Sequence, residues 1–88
     1  MTLYMHSTTK NAIKNAIYAC EGKYSLYYAF HALDNEDDMW LIRIRVSDAT
    51  HTLTTPDLVI QQSSMTRDGV LALMEVITQD FWRAKDKH

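Results

Sequence analysis

The sequence contains little of the residue types that break or cross-link regular secondary structure. Its 88 residues include two glycines, one proline and one cysteine. So few glycines and prolines exclude a collagen-like repeat and long flexible linkers, and they predict that most of the chain lies in helices or strands. Because Cys20 is alone, no disulfide can form within the chain, which favours a reducing, cytoplasmic setting.

Strong net charge and long apolar runs are missing as well. Nine Lys and Arg residues against eleven Asp and Glu residues give a net charge of -2, which disfavours a generally basic surface for nucleic acid or membranes. No uncharged apolar run approaches the roughly 20 residues needed to cross a bilayer, and the first residues have no signal-peptide pattern. We therefore expect one small globular domain over residues 1–88, cytoplasmic and without a membrane partner.

Two segments have the hydrophobic periodicity of amphipathic helices. The spacing predicts a first helix over residues 9–21, with Ser7–Thr9 as candidate N-caps and Gly22 as the residue that ends it. A second helix is predicted over residues 67–85, with Thr66 as its N-cap. The two helices account for a large part of the apolar content, which is 47% of the chain.

Between these helices the hydrophobic period falls to two, which is typical of strands. Residues 23–33 and 39–47 alternate in this way, and the polar residues 34–38 between them predict a hairpin with a five-residue loop. Closing the loop with Leu33 opposite Met39 makes every even-numbered cross-strand pair apolar or aromatic. The even-numbered face is therefore the predicted core face.

Residues 48–64 are rich in threonine and end in a short apolar run, with Pro56 between the two parts. Proline has no amide proton, so we expect one or two short strands here, interrupted at Pro56. The predicted fold class is α+β. It is a two-layer αββ(β)α sandwich, in which an antiparallel sheet of three or four strands carries the N- and C-terminal helices on one face.

The order of helix, three strands and helix resembles that of the double-stranded RNA-binding domain. That family has a lysine-rich start to its second helix, where this sequence reads Thr66-Arg67-Asp68-Gly69. Glu75 and Asp80 follow on the same helix, and carboxylates there repel phosphates. The resemblance is one of topology, and no residue of the family's RNA-binding motif has a counterpart here.

The sequence carries no motif for catalysis, for a metal or for a cofactor. The four histidines and Cys20 have none of the local spacings that bring zinc ligands together. The acidic turn at residues 34–38 lacks the spacing and the glycine of a calcium-binding loop. Cys20 continues the apolar stripe of the first helix and is predicted to be a core residue. We expect no enzymatic activity, no metal and no cofactor.

The odd-numbered face of the hairpin is the surface on which the sequence places a binding site. An exposed sheet face is ordinarily polar, yet this face carries apolar side chains beside two arginines. Either residues 48–64 or a bent helix covers part of it internally, or a partner protein or a second copy does. Tyrosine, methionine and arginine are enriched in protein interfaces. The candidate partner-binding residues are Tyr27, His31, Met39, Leu41, Arg43, Arg45 and, on the last helix, Trp82.

These patterns predict a small non-enzymatic protein that binds another protein or itself. Such a protein acts as an accessory, adaptor or inhibitor-like molecule, of the kind that bacterial phages and mobile elements encode. The alternative is a nucleic-acid-binding regulator that uses the two arginines, Tyr27 and His31 as a sheet platform for stacking and phosphate contacts. A third possibility is an acidic decoy for nucleic acid, for which an excess of two acids (eleven against nine bases) is small.

Overall fold

A computed structural model describes residues 5–87 of the chain. Two helices flank a four-stranded antiparallel sheet, and a short 3-10 helix precedes the second of them. The elements are α1 (Ser7–Tyr24), β1 (Tyr27–Glu36), β2 (Met39–Ser47), β3 (Thr52–Thr54), β4 (Leu58–Gln61), the 3-10 helix (Gln62–Ser64) and α2 (Arg67–Asp86).

Both helices pack on the same face of the sheet and against each other, which confirms the predicted α+β sandwich. The even-numbered side chains of the hairpin form the sheet's side of the core, as their alternation predicted. Tyr28, Trp40, Ile42, Ile44 and Val46 are buried there. The helices contribute Ile13, Ala16 and Cys20 from α1 and Val70, Met74, Ile77 and Phe81 from α2.

The pairing of β1 with β2 differs from the expected register by two residues. β1 continues to Glu36, and the connection is a two-residue turn in which Asp37 has a φ of 55°. Aspartate tolerates that left-handed conformation, which suits tight hairpin turns. Phe30 therefore lies opposite Ile44, and a bulge at Leu33 absorbs one extra residue of β1. A shift of two leaves every side chain before the bulge on its predicted face.

The first helix runs one turn past its predicted end. Gly22 lies inside α1, and the chain leaves the helix at Ser25, whose φ is 56° and whose N–H donates to the carbonyl of Glu21 at 3.0 Å. The extra turn is held from outside the helix, because the hydroxyl of Tyr24 donates to the Glu75 carboxylate of α2 at 2.9 Å. The predicted N-cap of α2 is confirmed, since the Thr66 hydroxyl accepts from the amide of Gly69 at 3.1 Å.

β3 and β4 form one interrupted third strand along the edge of β2 that β1 leaves free. The interruption lies at Pro56, as predicted, and Thr55 bridges it. The amide of Thr55 donates to the carbonyl of Ile44 at 2.9 Å, and its hydroxyl accepts from the amide of Ile44 at 3.0 Å. The Thr55 side chain thus takes the place of a backbone carbonyl where the proline bends the strand.

Polar groups inside the core are few and hydrogen-bonded. The Tyr28 hydroxyl lies 2.5 Å from the Thr78 hydroxyl, which in turn donates to the carbonyl of Met74 at 2.7 Å. The pKa of Tyr28 is raised, chiefly because burial disfavours the phenolate. No buried side-chain nitrogen or oxygen within residues 5–87 lacks a hydrogen-bond partner. In the same part of the chain, neither helix is long and apolar enough to cross a membrane.

Candidate protein-binding face

The face of the sheet opposite the helices is called the outer face here. Its side chains alternate along each strand with those of the core, so the strand register decides which of them are neighbours. The outer face consists of Tyr27, Ala29, His31 and Leu33 from β1, Met39, Leu41, Arg43 and Arg45 from β2, Thr54 from β3, and Val59 from β4.

Within residues 5–87, both helices pack on the inner face of the sheet, and neither covers the outer face. The sequence left open whether residues 48–64 cover it. They do not, because β3 and β4 join the edge of the same sheet and widen the face instead. Leu33, Met39 and Val59 therefore stay exposed, and Leu41 is half-buried.

One end of the outer face is apolar. Leu41 lies opposite Val59 across the β2–β4 pair, and Leu33 lies at the bulge beside them. The exposed fractions are 62% for Val59, 37% for Leu33 and 37% for Met39. A depression of about 250 Å³ between Leu41 and Val59 is bounded by Asp34. Met39, Leu41 and Val59 form an apolar patch that is bordered by the carboxylates of Asp34 and Glu36. Leu33 lines a second depression beside His31 and Arg43.

The other end of the outer face is polar and partly cationic. Arg43 lies opposite His31, and its guanidinium holds the Asp57 carboxylate, with Nη2 at 2.7 Å and Nε at 3.2 Å from Oδ1. Arg45 lies opposite Thr54, is exposed, and makes no ion pair with any residue between 5 and 87. A depression of about 560 Å³ at this end is lined in part by His31, Arg43 and Arg45.

Six of the seven candidate residues share this face, and the seventh does not. Tyr27 lies at its far end and is 70% exposed. Trp82 lies on α2, in the other layer, where its ring meets the ring of Tyr24 edge-on at a centroid distance of 5.3 Å. Trp82 therefore braces the end of α1 and is separated from the other six by the core.

Two residues outside the candidate set bear on the chemistry of the outer face. Val59 completes the apolar patch, and Asp57 neutralises Arg43. The alternation of Leu58, Val59 and Ile60 carried a usable signal, because it turns the middle residue away from the core. No such signal exists for Asp57, whose position depends on how the chain bends at Pro56.

The groups with shifted pKa values lie away from the outer face, either in the core or at contacts between elements. Hydrogen bonds from Tyr24 and Lys23 lower the pKa of Glu75, which fastens α1 to α2. Burial raises the pKa of the Cys20 thiol, so this cysteine is a core residue with little thiolate character. Within residues 5–87 no three His, Cys, Asp or Glu side chains come together as a metal site.

No family model, curated protein or solved structure matches this chain. The protein is a small α+β sandwich in which neither helix of residues 5–87 covers the outer face of the sheet.

Proposed function

We propose that this protein binds another protein through the outer face of its sheet. The observation that carries the proposal is the apolar patch of Met39, Leu41 and Val59, together with the exposed Leu33, on a face that neither helix covers. Contiguous exposed apolar patches with a polar rim mark interaction sites. The core is complete without these residues, so the fold alone does not account for them.

The arrangement of side chains on the outer face predicts the chemistry of the partner's surface. The apolar patch suits an apolar surface of the partner at one end of the contact. At the other end, Arg45 offers a guanidinium that no residue between 5 and 87 engages in an ion pair. Guanidinium groups bind carboxylates in a forked geometry. We therefore expect a partner surface that sets an apolar centre beside a carboxylate.

The same face is less suited to nucleic acid. Asp57 neutralises Arg43, and carboxylates of Asp34 and Glu36 lie at the hairpin end of the face. Nucleic-acid affinity depends on phosphate neutralisation by several cations, and base stacking needs aromatic rings. Among the outer-face residues, Tyr27 and His31 are the side chains with an aromatic ring. These features favour a protein partner.

The test is capture from an extract of the source cells, with two variants that differ in position alone. Val59→Asp places a charge in the apolar patch, whereas Val76→Asp places it on the solvent side of α2. The two valines are 62% and 59% exposed, so neither variant disturbs the core, and circular dichroism verifies this. We expect Val59→Asp to lose a bound protein that the wild type and Val76→Asp both retain. Equal retention by both variants contradicts the proposal.

A second arm separates the protein partner from the nucleic-acid alternative. Purified protein is mixed with mixed-sequence RNA and DNA at low salt, where phosphate contacts are strongest. We expect no mobility shift. A shift that disappears with added salt and on Arg45→Ala would instead favour the nucleic-acid alternative.

A further inference from the structure

The two edges of the sheet are protected to very different degrees. β1 pairs with β2 on one side, and no strand of residues 5–87 pairs with its other side. Residues 27–33 of this open edge, Tyr-Tyr-Ala-Phe-His-Ala-Leu, include no Lys, Arg, Asp, Glu, proline or glycine. The opposite edge consists of strands of three and four residues on either side of Pro56. Sheet edges are usually blunted by charge, proline or shortness, because an open edge pairs with other strands. Residues 27–32 of β1 have none of these features, and the bulge at Leu33 and the carboxylate of Asp34 follow directly after them.

The direction of each backbone group on β1 follows from the pairing of β2. The amide and carbonyl of Ile44 bond to Thr55, away from β1, so its opposite residue Phe30 also points its backbone groups away from β2. By alternation the amides of Tyr28 and Ala32 point outward too. The amide of Tyr28 confirms this, because it donates to the Glu21 carboxylate at 3.3 Å, outside the sheet.

Carboxylates of the chain itself occupy both ends of this open edge. Glu21 accepts from the amide of Tyr28 at one end, and Asp34 accepts from the amide of Asn35 at 2.8 Å at the other. Between these ends, the outward amides and carbonyls of Phe30 and Ala32 bond to nothing within residues 5–87. The open part of the edge is thus a window of two hydrogen-bonding residues on either side of His31.

An apolar groove of about 460 Å³ runs beside this window, between α1 and β1. Ile13, Ile17 and the exposed Lys10 and Lys14 line it from the helix, and Phe30 and Ala32 line it from the strand. Ala32 carries only a methyl group and is half-buried, so the groove has room above it for a larger side chain.

We propose that a second copy of this chain pairs antiparallel with β1 through this window, with Phe30 of each copy opposite Ala32 of the other. The two windows are complementary in this register. Each copy donates two amide hydrogen bonds to the other and accepts two at its carbonyls. The Phe30 ring of each copy lies above the small Ala32 of the other and fills the groove. Asp34 of one copy then faces Tyr28 of the other, next to Glu21 of that second copy. The two carboxylates repel each other, and the pairing ends there.

This proposal concerns the edge of the sheet and goes beyond the proposed function of its outer face. Two copies paired through β1 form one continuous sheet across a two-fold axis at His31. The helices of both copies remain on one side of it. The two outer faces lie next to each other on the opposite side, so the dimer presents them together to a partner.

Disulfide trapping tests the register directly. His31 on the axis faces His31 of the second copy as a pair without mutual backbone hydrogen bonds, and the Cα atoms of such pairs lie about 4.5 Å apart. That distance allows a disulfide, so we expect His31→Cys to form a covalent dimer under mild oxidation. Ala29→Cys is the matched control on the same face of β1, because its symmetry mate lies about 13 Å away. Cys20, at 0% exposure, does not compete.

A second variant tests the hydrogen bonds of the window. Ala32→Pro removes an outward amide and leaves the hydrogen bonds between β1 and β2 in place. We expect the mass of the wild type in sedimentation equilibrium to rise from monomer to dimer as its concentration approaches about 1 mM. Ala32→Pro, with an unchanged circular dichroism spectrum, is expected to stay monomeric, and the double variant with His31→Cys is expected to lose the cross-link.

Three results overturn the dimer. These are a wild type that stays monomeric throughout, a cross-link that forms as fast with Ala29→Cys as with His31→Cys, and a folded Ala32→Pro variant that dimerises like the wild type. If Ala32→Pro does not fold, the cysteine pair alone decides. These measurements use purified protein without a partner, so their failure leaves the proposal for the outer face standing.

Discussion

The two faces of the sheet are built by the same strands and differ in what lies against them. On the inner face α1 and α2 exclude water, and the exposed fraction of Ile42, Ile44 and Val46 is 0%. On the outer face Val59 stays 62% exposed although it is as apolar as its neighbours in the core. The hydrophobic effect explains the first set, because burial removes it from water. Val59 gains little of this burial from folding, and a binding role is the explanation we propose for its exposure.

The largest expected effect contrasts a core residue with an outer-face residue. Ile42→Ala leaves a cavity beneath the helices and should lower the free energy of unfolding by about 2–5 kcal/mol. Val59→Ala truncates a side chain that water already reaches, so the free energy of unfolding should change by no more than about 0.5 kcal/mol. Chemical denaturation measures both. Similar losses for the two variants would show that the outer face is buried in the isolated chain.

The next effect concerns the polar pair within the core. Thr78→Val leaves the buried Tyr28 hydroxyl without its acceptor and should cost about 1–3 kcal/mol. Tyr28→Phe removes one hydroxyl while Thr78 keeps its bond to Met74, so a loss of about 0.5–1.5 kcal/mol is expected. Urea denaturation of the two variants shows which of them loses more free energy of unfolding. A larger loss for Tyr28→Phe would contradict this hydrogen-bond arrangement.

A smaller effect depends on pH and on the joint between α2 and the sheet. Asp48 accepts from Lys85 at 2.5 Å and from the amides of Thr50 and His51 at 2.8 and 2.7 Å. These bonds, that from Lys85 first, hold the pKa of Asp48 well below its ordinary value. A lowered pKa in the folded state stabilises the fold above the unfolded pKa of about 3.9, and this contribution is lost as the pH falls through the folded pKa.

Asp48→Asn removes the titrating group and keeps the shape of the side chain. Denaturation midpoints are measured from neutral pH downward for both proteins. The wild type should be the more stable at neutral pH, and the difference should shrink below about pH 4. A difference that stays constant across this range would show that Asp48 does not titrate with folding.

The smallest effect belongs to the ion pair on the outer face. The side chains of Arg43 and Asp57 are 43% and 48% exposed, and such surface pairs contribute less than about 1 kcal/mol. Arg43→Ala should therefore lower the free energy of unfolding only slightly, and added salt should reduce the difference further. A loss as large as that of Ile42→Ala would mean that Arg43 supports the fold and is not available for binding.

The layers of the fold could be predicted from the sequence because they rest on periodicity. A period of two selects which face of β2 is buried, and a period near 3.6 selects the buried stripe of α2. The register of the hairpin could not be predicted, because the alternation is unchanged by a slip of two residues. The register depends instead on Asp37, whose left-handed conformation tightens the turn, and on the bulge at Leu33.

The candidate site was predictable where it follows the hairpin and not where it depends on tertiary contacts. Arg45 and Leu41 share a face because they are four residues apart on one strand. Tryptophan is also a residue type enriched in protein interfaces. The ring of Trp82 nevertheless packs on Tyr24 in the other layer. The open window on β1 could not be predicted at all. It depends on side-chain carboxylates, those of Glu21 and Asp34, that occupy the amides on either side.

The central claim, that the outer face is the binding surface, is tested most directly with two matched tyrosines. Tyr27 is 70% exposed on the outer face, and Tyr18 is 59% exposed on α1. Calorimetric titration of the captured partner against Tyr27→Ala and Tyr18→Ala compares the two surfaces at similar exposure. If the outer face is the binding surface, Tyr27→Ala should weaken binding about tenfold or more, and Tyr18→Ala should leave the affinity unchanged. Unchanged affinity for Tyr27→Ala together with weakened binding by Tyr18→Ala would contradict it.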